Sequence, residues 1–453
     1  MDADLTGKIK EKLIIREFFC SFWDVDWTGL GEAVLCTASP TTPFKGTKCR
    51  STPKMDKKGE KMKYVLIVPD GMADYKIDEL GGLSALEYAR TPNMDALAKE
   101  GIVGLVHTIP DGMPPGSDVA ALSIMGYDPK AYYTGRAPLE AASQRIELKS
   151  TDVVFRCNLI NTDGEHIVDY SGGEISTLEA KELIKALEEN LGNSRLKFYP
   201  GVSYRHLLVD NAGSVDVKCT PPHDVMGQEI FDNLPKGENE EMLRELIFRS
   251  HEILKAHPVN LARESAGKRP ANMAWFWGQG YKPNLTIFAE RFNVSGTVVS
   301  AVDLIRGIAL TSGLKAPEIK GATGTVNTNW KGKQEAAIEA LKTDDFVMLH
   351  LEAPDESGHQ GSLSDKVKSI ELVDTEIVGP VIESAKAYGD YRVLILPDHY
   401  TPISLRTHVG DAVPFLLSGA GVTASNAEFS ESYAGNANMV VKAGHELINE
   451  LFK

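Results

Sequence analysis

Apolar residues along this chain come in short, unbroken runs that stop at turn residues and then at acids or histidines. Tyr64-Val65-Leu66-Ile67-Val68-Pro69 stops at Asp70. Phe346-Val347-Met348-Leu349-His350-Leu351 is followed by Asp355 and His359. Val393-Leu394-Ile395-Leu396-Pro397 stops at Asp398 and His399, with His408 shortly after. Runs of this length without alternation predict strands covered on both faces of a parallel sheet. Ligands of such sheets bind beyond the carboxyl ends of the strands, so these acids and imidazoles are expected to meet at one sheet edge as a site, most simply a metal site.

The pattern between these runs is helical. Thr91-Pro92 opens a helix with proline in its first turn. Residues 101–106 read as a second strand and 119–125 as a helix. From about residue 135 the character changes: strands are expected over 153–160 and 196–209, and helices over 177–191 and 239–255. A Pro/Gly/Arg-rich passage then leads to Trp275-Phe276-Trp277, read as packing at the connection between domains. Strand and helix alternation resumes at 297–300, with a helix from Val302. The expected organisation is an α/β core of residues 62–134 and 284–453 that bears the ligands. Residues 135–283 form an inserted, smaller α+β domain, and residues 1–61 a poorly ordered extension. That extension lacks the order of a signal peptide and is read as an upstream, mis-assigned start.

Charge and composition narrow the function. With 453 residues and a net charge of −15, the chain is large enough for two or three domains and is unsuited to nucleic acid or an anionic membrane surface. An acidic enzyme acting on anions must carry its positive charge locally, on metals or a few arginines. No apolar run approaches ~18 residues, so no membrane span is expected. The five cysteines show no metal or redox spacing, and reduced thiols in the cytoplasm are the simpler reading.

The chemistry is carried by few residues. Asp355 and His359 are four apart and share one face of a helical turn. Alone this spacing is ordinary surface chemistry. An apolar strand that ends in Asp398-His399 is more specific, and Asp70 before Gly71 could otherwise be only a turn residue. Mixed carboxylate and imidazole donors suit zinc or manganese. Ser117, between Gly116 and the start of a helix, is the candidate nucleophile, placed where backbone N–H groups favour an anion. Its plain alternative is a helix cap. There is no Gly-x-Ser-x-Gly elbow around it, so activation by metal is preferred to a triad. Two metals about 3.5–4 Å apart would serve this purpose.

These residues resemble a known family. The motifs Val68-Pro69-Asp70-Gly71-Met72-Ala73-Asp74, Pro115-Gly116-Ser117-Asp118, Thr134-Gly135-Arg136, Ser300-Ala301-Val302-Asp303, Glu352-Ala353-Pro354-Asp355-Glu356-Ser357-Gly358-His359 and Pro397-Asp398-His399 are similar to those of the archaeal-type, cofactor-independent phosphoglycerate mutases of the alkaline phosphatase superfamily. The resemblance spans residues 62–453. It implies an alkaline-phosphatase-like core and interconversion of 3- and 2-phosphoglycerate through a phosphoserine at Ser117, without 2,3-bisphosphoglycerate. It further implies one divalent ion on Asp70, Ser117, Asp398 and His399, and a second on Asp355, His359 and His408. Manganese is the first choice, with zinc, cobalt or magnesium as alternatives. Arg136, Arg156, Arg205, His206 and Lys333 are the candidate contacts to a small phosphorylated substrate, most of them expected from the inserted domain. A homoserine kinase on the same scaffold, or a phosphatase, is the alternative. The sequence gives no oligomeric state.

Overall fold

The computed structural model describes residues 62–453; the readings for residues 1–61, three cysteines among them, lie outside the described residues. The aliphatic runs assemble into one seven-stranded sheet in the order Gly296–Val299, Phe346–Leu351, Lys63–Pro69, Tyr391–Ile395, Val413–Gly419, Ile102–Val106, Val440–Val441. All neighbours pair in parallel except Val413–Gly419, which runs against both of its own. The sequence reading overlooked that strand, since it bears no ligand and contains Pro414.

Covering the sheet on both faces explains the unbroken apolar runs. Val65 and Ile67 point to one core, with Val347, Leu349 and the helices Pro92–Lys99 and Trp330–Thr343. Leu66 and Val68 point to the other, with Phe346, Met348 and the helices Ser117–Ile124, Asp303–Thr311 and Gly444–Leu451. Each such buried side chain contributes about 1.5–3 kcal/mol. With both faces taken, functional groups are left to the strand ends. Asp70 is placed there by its N–H, which donates to the Leu351 carbonyl (3.0 Å) across the strand pair.

Residues 153–281 build a second, antiparallel sheet with a core of its own. Val153–Thr162 is central, pairing with Ile167–Asp169, Arg205–Asp210 and Met273–Tyr281, and Leu196–Val202 lies outside Arg205–Asp210. Helices Thr177–Leu191 and Glu240–Lys255 cover one face. The single strand expected over 196–209 is instead a hairpin. Its tip carries Ser203 at φ 55°, a left-handed conformation that ends a strand. Trp275, Phe276 and Trp277 lie inside this sheet's core and not at a connection.

The chain enters and leaves this region through one narrow waist. The Thr134 hydroxyl donates to the Tyr281 carbonyl at 2.7 Å, and a Cβ on Gly280 would stand 1.9 Å from the Thr134 carbonyl oxygen. Beyond the waist, helix Ala137–Ser143 crosses helix Asp303–Thr311 at Gly307, where a Cβ would meet the Leu139 carbonyl at 1.8 Å. Any side chain at Gly307 would push these helices apart, and with them the second sheet from the first. Among the described residues no helix is long and apolar enough to cross a membrane.

Candidate metal centre and phosphoryl site

Two groups of donor atoms gather at the carboxyl edge of the large sheet: Asp70, Asp398 and His399 in one, Asp355, His359 and His408 in the other. Each set has its ligand atoms within 4.8 Å of one another. Helix Ala353–Gln360 supplies Asp355 and His359 one turn apart. His359 Nε2 is 3.3 Å from Asp355 Oδ2, His408 Nε2 is 3.3 Å from Asp355 Oδ1, and the two imidazole nitrogens are 2.8 Å apart. His359 Nδ1 donates to the Arg406 carbonyl at 3.0 Å, which leaves Nε2 to face the group. In the first set, Asp398 Oδ1 accepts from the N–H groups of Gly71 and His399. Its Oδ2 is left 3.3 Å from His399 Nε2, which is also 3.6 Å from Asp70 Oδ1.

The donor set fits a cation. Asp70 Oδ1 and Asp398 Oδ2 are buried without a hydrogen-bond partner, and an unpartnered buried carboxylate oxygen is costly. Burial first, then the charges of Asp398 and Asp355, push the Asp70 carboxyl well above its ordinary range. A bound cation reverses that sign. Against the cost of its own burial, Asp355 is held well below the usual range by His359 and His408.

Ser117 opens helix Ser117–Ile124. Gly116, in extended conformation, is the cap, so the serine hydroxyl is free of capping. Its Oγ stands 3.2 Å from His399 Nε2, beside the first donor set and at the positive end of a helix. The next residue, Asp118, accepts from the Tyr133 hydroxyl at 2.7 Å.

The predicted arginines converge around this edge from the second sheet and the waist. Arg156 Nε donates to Glu140 Oε2 at 3.2 Å, and its guanidinium lies 4.3 Å from the Trp277 ring centre. Arg136 Nε is 3.8 Å from the other oxygen of Glu140 and makes no hydrogen bond of its own. Burial opposes the charge of Arg136, but Asp118 and Glu140 raise its pKa. Arg205 is exposed and close enough to Glu356, the neighbour of Asp355, to lower a carboxyl that burial and Asp355 raise.

Of the other two candidates, one lies in the layer beneath the donors and one away from them. Lys333 is buried, with Nζ 2.6 Å from Glu352 Oε2 and 3.2 Å from the Thr323 carbonyl. His206 is buried too, and its Nδ1 accepts from the Gly201 N–H at 2.9 Å, inside the hairpin.

Sequence reading missed an underlying layer. Glu352 receives Lys333, the Ser300 hydroxyl and the Ala301 N–H. Although burial raises it, the Lys333 charge and His350 hold its carboxyl at about 2. His350 lies between Glu352 Oε1 and Asp70 Oδ2, 3.3 Å from each. A histidine inside an otherwise apolar strand was the available signal. Thr401 carries none in sequence, although its hydroxyl touches both donor sets.

A serine at a helix start, facing carboxylates and imidazoles at the ends of parallel strands, defines an α/β phosphoryl-transfer metalloenzyme. A family model described as 2,3-bisphosphoglycerate-independent phosphoglycerate mutase matches residues 98–260. A protein of that name from Methanosarcina barkeri is 49% identical over 397 residues, covering 86% of this chain and 100% of its own. One from Pyrococcus abyssi is 36% identical over 400 residues, covering 85% and 96%. A solved protein from Pyrococcus horikoshii superposes with a TM-score of 0.74 at 32% identity, over 87% of this chain and 98% of that one. The cofactor-independent phosphoglycerate mutase from Thermoplasma acidophilum shares the fold, with a TM-score of 0.59 at 24% identity over 86% and 100%. The chain belongs to the 2,3-bisphosphoglycerate-independent phosphoglycerate mutase family, and the homoserine kinase alternative is not favoured.

Proposed function

We propose that the enzyme interconverts 3- and 2-phosphoglycerate by passing the phosphoryl group through Ser117. Two divalent cations would be held, one by Asp70, Ser117, Asp398 and His399, the other by Asp355, His359 and His408, with manganese the first candidate. When bound, they lower the pKa of the serine hydroxyl and neutralise charge on the transferring group. Ser117 Oγ forms its bond to phosphorus as the bond to the 3-oxygen of the substrate breaks. The glycerate then turns in place, and its 2-oxygen takes the phosphoryl group back. Arg136, Arg156 and Arg205 bind phosphate and carboxylate, the fork of Arg156 being set by Glu140 and the Trp277 face. The observation that carries this reading is Ser117 Oγ beside His399 Nε2, which itself adjoins two carboxylate oxygens that have no donor of their own.

Residues 135–283 are proposed as an inserted domain that closes over the substrate. The double-stranded waist at Thr134 and Tyr281 supports a hinge there. Closure excludes water from the phosphoserine, which separates a mutase from a phosphatase. Free Cys157 and Cys219 suit a reducing, cytoplasmic setting.

Acid quenching of the manganese-loaded enzyme during turnover, followed by proteolysis and mass spectrometry, tests the intermediate. A phosphoryl group on the peptide bearing Ser117 is expected. Phosphate only on another residue, or none during rapid turnover, rejects it.

A further inference from the structure

The side chain of Thr401 is fully buried between the two donor sets. Its Oγ1 is 2.5 Å from Asp355 Oδ1 and 3.2 Å from His399 Nδ1. A hydroxyl has one proton, and an ionised carboxylate only accepts. The Thr401 proton therefore goes to Asp355, and the hydroxyl oxygen accepts from Nδ1–H of His399. That hydrogen bond selects the His399 tautomer in which Nε2 carries a bare lone pair. Nε2 is the atom that faces Ser117, Asp70 and Asp398.

The surroundings are built to hold this hydroxyl. Lys366, itself buried, donates to the Thr401 carbonyl at 2.8 Å and to Asp74 Oδ2 at 2.7 Å. Two glycines allow the close approach. A Cβ on Gly71, which has φ +60°, would stand 2.5 Å from Thr401 Oγ1, and one on Gly358 would stand 2.5 Å from the Thr401 carbonyl oxygen. A residue admitted at such proximity on two sides is held in one position.

We infer that Thr401 is a positioning residue that orients a ligand of each cation site through one hydroxyl, so that the two sites form as a single unit. This rests on the two-cation reading above. The hydroxyl touches neither Ser117 nor the arginine cluster, so its effect is on the ligands.

The test uses full-length wild type, Thr401→Ser and Thr401→Val, compared by manganese calorimetry and by nitrogen NMR of histidine-labelled, metal-free protein. Wild type and Thr401→Ser are expected to bind two ions with affinities within about threefold of each other and to show His399 as the Nδ1–H tautomer. Thr401→Val removes both hydrogen bonds at nearly constant volume. It should lose that tautomer preference and weaken both ions by roughly tenfold or more, the usual scale for outer contacts to metal ligands. Should the valine variant not fold, Thr401→Ala is read the same way. An unchanged tautomer with both affinities within threefold of wild type overturns the inference and leaves the two-cation reading standing. Fewer than two ions on wild type overturns that reading, and the inference with it.

Discussion

Ser117 Oγ lies 3.2 Å from His399 Nε2, and no capping bond holds the hydroxyl back. If that hydroxyl takes the phosphoryl group, Ser117→Ala removes the only atom that can carry it. Turnover is expected to fall by a factor on the order of 10⁴ or more. Circular dichroism and thermal melting of the metal-free protein should stay near wild type, because the serine hydroxyl caps no helix and meets only His399. Activity within tenfold of wild type would reject the nucleophile.

Arg156 is held between Glu140 and Trp277, a fit for a planar guanidinium that an ammonium does not reproduce. Arg156→Lys is expected to lower kcat/KM for 3-phosphoglycerate by roughly 10- to 100-fold, or about 1.4–2.8 kcal/mol. Steady-state kinetics measures this. A change smaller than threefold would place the arginine outside substrate recognition.

Chelation should remove activity and stability together, since a cation bound to the fold and not to the unfolded chain stabilises by mass action. At a hundredfold excess over Kd the gain is about 2.7 kcal/mol per site, visible as a rise in melting temperature when manganese is returned. His408→Ala should reduce this rise, the site that contains His408 being weakened the more. A melting curve indifferent to manganese would contradict the donor assignment.

His206 provides the pH dependence. Burial lowers its pKa to about 3 from an ordinary 6.5, against a backbone hydrogen bond at Ser203 that raises it and with a smaller push down from the Arg205 charge. The fold keeps the ring neutral while the unfolded chain takes up a proton below about 6.5. The unfolded state therefore binds more protons in that window, and stability is lost as pH falls from about 6.5 towards 3. The limiting slope is about 1.4 kcal/mol per pH unit. His206→Asn offers an oxygen to the Gly201 N–H but does not titrate. Denaturant melts at pH 7, 6 and 5 should show the gap between wild type and variant shifting steadily in favour of the variant. A constant gap would show that His206 is not held neutral.

The large sheet was legible because strands covered on both faces must be apolar throughout, as at Leu66-Ile67 and Met348-Leu349. Strand order places the following Asp70, Asp355 and Asp398 at one edge, so six scattered ligands could be grouped from sequence. The hairpin at Ser203 was not legible, because its turn rests on a left-handed serine that sequence does not announce. Arg156 could be picked as an arginine in a strand, but its setting by Glu140 and Trp277 depends on long-range pairing of Val153–Thr162 with Met273–Tyr281. Lys333 and Thr401 mark the same limit: a lysine in a polar segment became a buried partner of Glu352, and an ordinary threonine became the bridge between two donor sets.

The central claim is that Ser117 passes a phosphoryl group between two oxygens of one substrate inside a site closed to water. Phosphorus NMR of the manganese-loaded enzyme with 3-phosphoglycerate, and with neither nucleotide nor 2,3-bisphosphoglycerate, tests it most directly. The account predicts the resonance of 2-phosphoglycerate growing to equilibrium with no inorganic phosphate. Release of inorganic phosphate, or no change in enzyme shown to hold two ions, would contradict it.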